Sequence, residues 1–509
     1  MTLPDIVLRP LCRFALGLAG LAFALAGPAL GQTNLPSPQA GTPAPGATLR
    51  PLSAQGRTLT QRRFFERVAE SHPLVRQAVL YRKFGEAQLL EARGNFDPKL
   101  SYFNAQKRQD GLVYYDVSEA KGLVPLRAGL NLTGGYEFGR GPFVSGENFT
   151  SGPGLYFGGI ELQAGRGLLI DARRAAVLQG KNAVQLGEQL TRAYANKVLS
   201  LAAKDYWSFY FAYHQAQFLR EGVDLAQLRY DGVRQKFRVG EEAAIDTVEA
   251  EILLQDRSNQ YLEAQNELRN ARMQLQRYLW EGSKEVDPID SLTSPEAFAM
   301  PQVALLGPDP AAGRDLIVSQ NPDLASQRIE LQQLDIDRRL ALENFRPVAD
   351  IKYQFINKYG SSLPPPEAAF FRNNYRFGLD LAMPLFLRKE RGKLAQIRIK
   401  TEQARLGLKQ AERDAEVAYR QTRNDLSVFR SMIETQARMV NNYRVLRDGE
   451  SIKFNLGESS LFLVNTRETK LIESEVKLVA LHAKWQKALV QLQALAGALT
   501  DGLTLPTIR

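Results

Sequence analysis

The sequence has a single cysteine, Cys12, among 509 residues, and only three histidines, His72, His214 and His482. That excludes a disulfide framework and any thiolate-based metal site. Common catalytic motifs are missing too: there is no His-Glu-x-x-His, no Gly-x-Ser-x-Gly and no complete phosphate loop. Gly180-Lys181 comes nearest, but Asn182 follows it and no glycine stands five residues before Gly180. No enzyme, cofactor or metal is therefore expected. Beyond the N-terminal segment no run of eighteen apolar residues occurs, so helical membrane spans are not expected. The formal charge of +10 is spread along helix faces without a long basic block, which points away from a nucleic-acid partner.

What is present suffices for a large core, with 44% hydrophobic and 24% charged residues. Residues 1–31 have the form of a secretory signal. Arg9 and Arg13 precede an apolar stretch from Phe14 to Gly27, and Ala29-Leu30-Gly31 offers small residues for cleavage. Cys12 would leave with it. Residues 32–57, rich in Pro, Gly, Ala and Gln, are expected to be a flexible leader.

One eleven-residue stretch occurs twice. Residues 231–241 and 448–458 share Asp231/Asp448, Gly232/Gly449, Lys236/Lys453, Phe237/Phe454, Gly240/Gly457 and Glu241/Glu458. Each copy ends one apolar-periodic run and begins another. The glycine falls where a helix needs positive φ to stop, and the glutamate where the next helix favours negative charge. Both are expected to be tight turns of helical hairpins. Before the first turn, Phe209, Ala212, Ala216, Leu219, Val223, Ala226, Tyr230, Val233 and Phe237 alternate three and four apart, the seam of a coiled coil. The second copy keeps Leu426, Phe429, Ile433, Val440, Tyr443 and Phe454, but places Gln436, Arg447 and Glu450 in the seam. A further match pairs Asn95-Phe96-Asp97-Pro98 with Asn344-Phe345-Arg346-Pro347, and His72-Pro73 with Asn321-Pro322. The sequence therefore has an internal two-fold repeat.

The first repeat spans 58–281: a mainly helical segment interrupted near His72-Pro73, strands within about 98–168, and a hairpin over 171–281. Alternation marks strands beginning at Leu100, over Leu126–Thr133, and over Ile160–Ala164, with 139–154 as a Gly-rich loop. A Pro-rich connector covers 282–313. The second repeat, 314–498, has a helix to about Asn344, strands within about 347–386 split by Pro364-Pro365-Pro366, and a hairpin over 390–498. A tail, 499–509, remains. Each strand set has one apolar face and is of a length suited to crossing a bilayer at a tilt. A few strands cannot close a barrel alone, and an open edge in lipid costs several kcal/mol per unpaired group. Strands that meet lipid must be pooled between chains; otherwise they form a soluble two-sheet domain with a helical stalk.

The order helix, strand pair, hairpin, connector, and then the same again resembles the TolC-like outer-membrane efflux family. The Val239-Gly240 and Leu456-Gly457 turns, the Phe-x-Pro strand entries and Met383-Pro384-Leu385-Phe386 share in the resemblance. It implies a mixed α/β membrane protein: a homotrimer with four strands per protomer in a shared twelve-stranded β-barrel, continued by a periplasmic α-barrel. It also implies a passive exit duct for small molecules or a secreted protein, working with a periplasmic adaptor and an inner-membrane transporter. The longer spacing between Pro98 and Asp171 departs from this pattern and predicts extra hairpin or loop structure outside the membrane. The adaptor-docking tips would be Val239, Gly240, Glu241, Leu456, Gly457 and Glu458. A periplasmic constriction would involve Asp246 and Glu249 on one hairpin and Phe462, Leu463 and Arg467 on the other, with Arg467 available to pair with Asp246 of a neighbour. The rival reading is a periplasmic adaptor or structural coiled-coil protein of the envelope.

Overall fold

The computed structural model describes residues 58–150, 152–281, 284–285, 293–301, 309–358 and 374–506. The expected signal and leader, parts of the connector and the Pro364-Pro365-Pro366 loop lie outside them. The chain divides into a sheet unit, built from 92–176 and 339–394, and a helical unit holding the rest of the described chain.

In the helical unit, a two-residue strand β1 (Thr58–Leu59) precedes α1 (Gln61–Ser71) and α2 (Pro73–Gly94). Thr60 caps α1 by accepting from the Arg63 amide. The break between these helices is written in His72-Pro73. Proline cannot donate the helical bond but suits the first turn, and His72 Nδ1 accepts the Leu74 amide at 3.2 Å. The same device recurs at Asn321-Pro322, where Asn321 Oδ1 accepts from Asp323 and Leu324 at 2.9 and 3.1 Å. The single helix expected from about 314 to 344 is therefore two.

The sheet unit has six strands: β2 (Lys99–Gln109), β3 (Leu112–Pro125), β4 (Leu130–Arg140), β5 (Leu155–Gln163), β9 (Val348–Lys358) and β10 (Tyr375–Ala382). The short pairs β6 (Trp280–Glu281), β7 (Lys284–Glu285) and β8 (Ser294–Pro295) lie elsewhere in the chain. All six join in one antiparallel sheet, ordered β10-β9-β5-β4-β3-β2. The sheet thus has two strands more than the four expected to enter a shared barrel. β3 escaped notice because its apolar residues change face, from Tyr115 and Val117 to Ala120 and Val124, and a bulge at Tyr114 breaks the alternation from Val113. Leu126–Gly129 is a turn, not a strand, with Ala128 and Gly129 both at positive φ.

Register sorts the two faces. One cross-strand row runs Phe377, Tyr353, Ile160, Leu132 and Val124, and the next Leu379, Ile351, Leu162 and Leu130. Phe377, Leu379, Ile160 and Leu132 are each about half exposed on this apolar face. The opposite face is polar and internally paired. Lys121 meets Glu161 at 3.3 Å, Arg376 meets Glu137 at 2.7 Å, and Gln354 donates to Thr133.

Two long hairpins complete the chain: α3 (Ala172–Arg238) with α4 (Ala244–Gln276), and α7 (Arg388–Asn455) with α8 (Leu461–Leu495). Between them come α5 (Pro310–Gln320) and α6 (Pro322–Glu343). No described helix is long and apolar enough to cross a membrane. The seam residues Phe209, Ala212, Ala216, Leu219, Ala226 and Val233 are buried. One core gathers Phe64, Tyr206, Trp207, Phe209, Leu275 and Tyr278; another gathers Ile317, Tyr419, Leu426, Trp485 and Leu492. Each fully buried large side chain contributes about 1.5–3 kcal/mol. Gln436, polar in the second seam, is buried and donates to the Ser474 carbonyl and hydroxyl at 3.0 and 2.8 Å.

Candidate functional site

The two hairpin turns have the same backbone. Gly240 has φ 80° and Gly457 φ 78°. In the first, Glu241 N–H reaches back to the Lys236 carbonyl and Gly240 N–H to that of Phe237. In the second, Glu458 bonds Lys453 and Gly457 bonds Phe454. Both are Schellman closures, which leave no room for an ordinary residue's preferred φ at the glycine. The turns are neighbours: Lys236 Nζ lies 5.8 Å from the Phe454 ring centroid and 3.6 Å from Glu242.

Around the turns the chain exposes apolar side chains. Val239 is 72% exposed and Leu456, its counterpart, 69%. Ile245 and Phe462 are similarly exposed. A surface that is both apolar and held by rigid closures is suited to binding another protein.

The residues proposed for a constriction are divided by the structure. Asp246 stands in the first turn of α4, where its carboxylate accepts the Ala243 amide at 3.2 Å. It caps the helix, a role in keeping with the positive end of the helix dipole. Glu249 is exposed. On α8, Ser460 is the N-cap, Phe462 is exposed and Leu463 less so. Arg467 lies 3.6 Å from Glu450 of its own chain, whose carboxylate also accepts from Ser459. The Ser459 bond, with Lys453 and Arg467 nearby, holds the Glu450 carboxyl below its ordinary value. Arg467 thus has a partner within its own hairpin.

Sequence reasoning missed a polar belt between the hairpins. Arg229 of α3 donates to both carboxylate oxygens of Glu468 and to Asn465 on α8. Arg257 of α4, almost fully buried, donates to Thr469 at 2.8 Å. The signal was present as Asn465 and Glu468, three residues apart on one helix face and flanked by apolar residues. His214 and His482 pack against aromatic rings. His482 stacks on Phe298 at 3.7 Å, and burial with nearby His214 lowers its pKa to about 4. Among the described residues, no cluster of His, Cys, Asp or Glu could hold a metal ion.

Residues 130–279 match the family model described as outer membrane efflux protein. Sequence comparison with curated proteins finds no match. Among solved structures, the chain is similar to the CmeC outer membrane channel of Campylobacter jejuni, with TM-score 0.60 and 15% identity, covering 92% of this chain and 94% of that one. It is also similar to the outer membrane protein VceC of Vibrio cholerae, with TM-score 0.60 and 12% identity over 86% and 96%. The open-state MtrE outer membrane channel of Neisseria gonorrhoeae gives TM-score 0.59 and 14% identity over 88% and 91%.

Proposed function

We propose that this protein is an outer-membrane exit duct, a passive channel through which cargo leaves the cell. The carrying observation is the sheet, with an exposed apolar row on one face and paired charges on the other. An apolar face turned to lipid and a polar face turned to a lumen are what a transmembrane barrel requires. Because one open sheet would leave edge groups unpaired in lipid, three chains pool their strands into one barrel. The energy for transport comes from an inner-membrane pump, reached through a periplasmic adaptor that docks on Val239, Gly240, Glu241, Leu456, Gly457 and Glu458.

The duct narrows near these tips. Phe462 and Leu463 supply apolar packing there, and Asp246 with Glu249 supply negative charge that attracts cations. The expected outcome is a heat-modifiable trimer, extracted from outer membranes only with detergent, that forms pores in planar bilayers. A soluble monomer without pore activity would instead identify an envelope adaptor or a structural protein. Phe462→Ser should raise resting conductance, and Asp246→Asn should weaken cation selectivity.

A further inference from the structure

We infer that the trimer closes an eighteen-stranded barrel, in which β2 of each copy pairs with β10 of the next. This rests on the trimeric duct proposed above and goes beyond the four-strand contribution expected from the sequence.

The first argument is continuity. β2 and β3 do not leave the sheet as a separate flap. β3 pairs with β4 over ten residue pairs, from Asp116 opposite Arg140 to Pro125 opposite Asn131. The apolar face also carries on into them, through Val124 beside Leu132, Ala120 beside Tyr136, and then Leu100 and Tyr102 on β2. Leu100 is 74% exposed and Tyr102 50%, so these side chains lie open like those of β10. Where this face turns polar, neighbours satisfy one another: Asn104 donates to Ser118 at 2.8 Å, and Arg140 meets Asp116 at 3.1 Å.

The second argument is stagger. The chain enters from or leaves to helices at Lys99, Gln163, Val348 and Ala382, which mark one rim of the sheet. The cross-strand row through Lys99 passes Leu123, Thr133, Gly159 and Gln354 and ends at Arg376. Arg376 precedes the rim residue Ala382 by six positions, and five inter-strand steps separate the two edge strands. Six residues rise about 20 Å while five steps cover about 24 Å, so a level rim tilts the strands by about 40°. That falls within the roughly 35–45° range of closed barrels. All six strands share the tilt, including β2.

The third argument is the fit of the edges. β2 leaves the rim and β10 returns to it, so the two meet antiparallel between copies. Setting rim to rim places Lys99 opposite Ala382 and Ser101 opposite Asp380, with Lys99 diagonal to the Asp380 carboxylate on the polar face. It also places Leu100 opposite Leu381 and Tyr102 opposite Leu379 on the apolar face. Both edges then disappear, as a lipid-embedded sheet demands. Diameter grows roughly in proportion to strand number, so the lumen is about half again as wide as a twelve-stranded one. Cargo too broad for a twelve-stranded pore would pass.

The test is an electron cryo-microscopy map of the wild-type trimer in detergent, together with cysteine pairs in a Cys12→Ala background. Eighteen strands around the pore are expected, with oxidation of Ser101→Cys/Asp380→Cys giving covalent trimers. A twelve-stranded ring would overturn the inference, as would covalent trimers from Asn131→Cys/Ala382→Cys, the pair brought together when β4 is the edge. Those results leave the duct reading standing. Failure to find any membrane trimer would remove that reading as well.

Discussion

Arg229 of the first hairpin grips Glu468 of the second with two guanidinium nitrogens, while the same side chain reaches Asn465 at 2.6 Å. The two charged side chains are only 19% and 10% exposed, so water screens the pair weakly. Removing one partner strands a buried charge, at a cost of about 3–5 kcal/mol. Glu468→Ala should therefore lower the melting temperature and loosen the hairpins, which raises resting conductance in planar bilayers. Glu468→Gln keeps an acceptor and should lose less, and Arg229→Ala/Glu468→Ala should recover part of the loss. Unchanged melting and conductance in Glu468→Ala would make the pair a surface contact of no consequence.

The turns allow conformation to be separated from crowding. A Cβ built on Gly240 or Gly457 meets nothing within 4 Å, so a substitution there is limited by φ alone. Valine at positive φ costs roughly 1–2 kcal/mol, whereas asparagine tolerates that region. Gly240→Val and Gly457→Val should impair export more than trimer formation, and the asparagine variants should retain export. Cysteines in place of Glu241 and Glu458 should cross-link to a periplasmic partner in cells. Efficient export with valine at both turns, and no cross-linked partner, would place docking elsewhere.

The hairpins were legible in the sequence because three-and-four spacing fixes which side of a long helix is buried; Phe209, Ala216 and Val233 lie where that spacing puts them. The turns were legible because glycine is the residue that adopts φ near 80° at no steric cost. Other features were hidden for physical reasons. β3 changes its apolar face midway, so no two-residue period marks it. Asp246 reads equally as a pore charge or a cap until its bond to Ala243 is seen. The Arg229–Glu468 contact joins residues 239 apart, and local periodicity carries no information about such pairs.

Acid should weaken the helical unit through its histidines. His482 is lowered to about 4 by burial, then by His214. His214 is lowered by burial, and His72 by burial and then by Arg277. His72 must also keep Nδ1 free to accept the Leu74 amide. Each unfolded histidine takes a proton near its ordinary value of about 6.5, which the folded one resists. The unfolded state thus binds more protons between that value and the folded pKa, and stability falls as pH drops through the window. Melting temperature should decline from pH 6.5 toward pH 4, and His482→Gln should flatten part of that slope. An identical pH profile in that variant would remove His482 from the account.

Adjacent residues of β10 offer the sharpest check on which face meets lipid. Phe377 lies opposite Tyr353 on the apolar face and is half exposed, while Gly378 lies opposite Lys352 on the polar one. A Cβ at Gly378 would meet only the Lys352 side chain at 3.8 Å, so a larger residue has room. Arginine on the lipid face of a barrel costs about 2–4 kcal/mol near the bilayer midplane, whereas lumen positions accept charge. Phe377→Arg should reduce assembled trimer in the outer membrane, and Tyr353→Arg should do the same. Gly378→Arg should assemble normally and shift the pore toward anions, because its charge enters the lumen beside Lys352. Quantifying heat-modifiable trimer for the three variants, with reversal potentials for Gly378→Arg, decides the matter. The opposite pattern, with position 378 sensitive and 377 tolerant, would turn the sheet inside out.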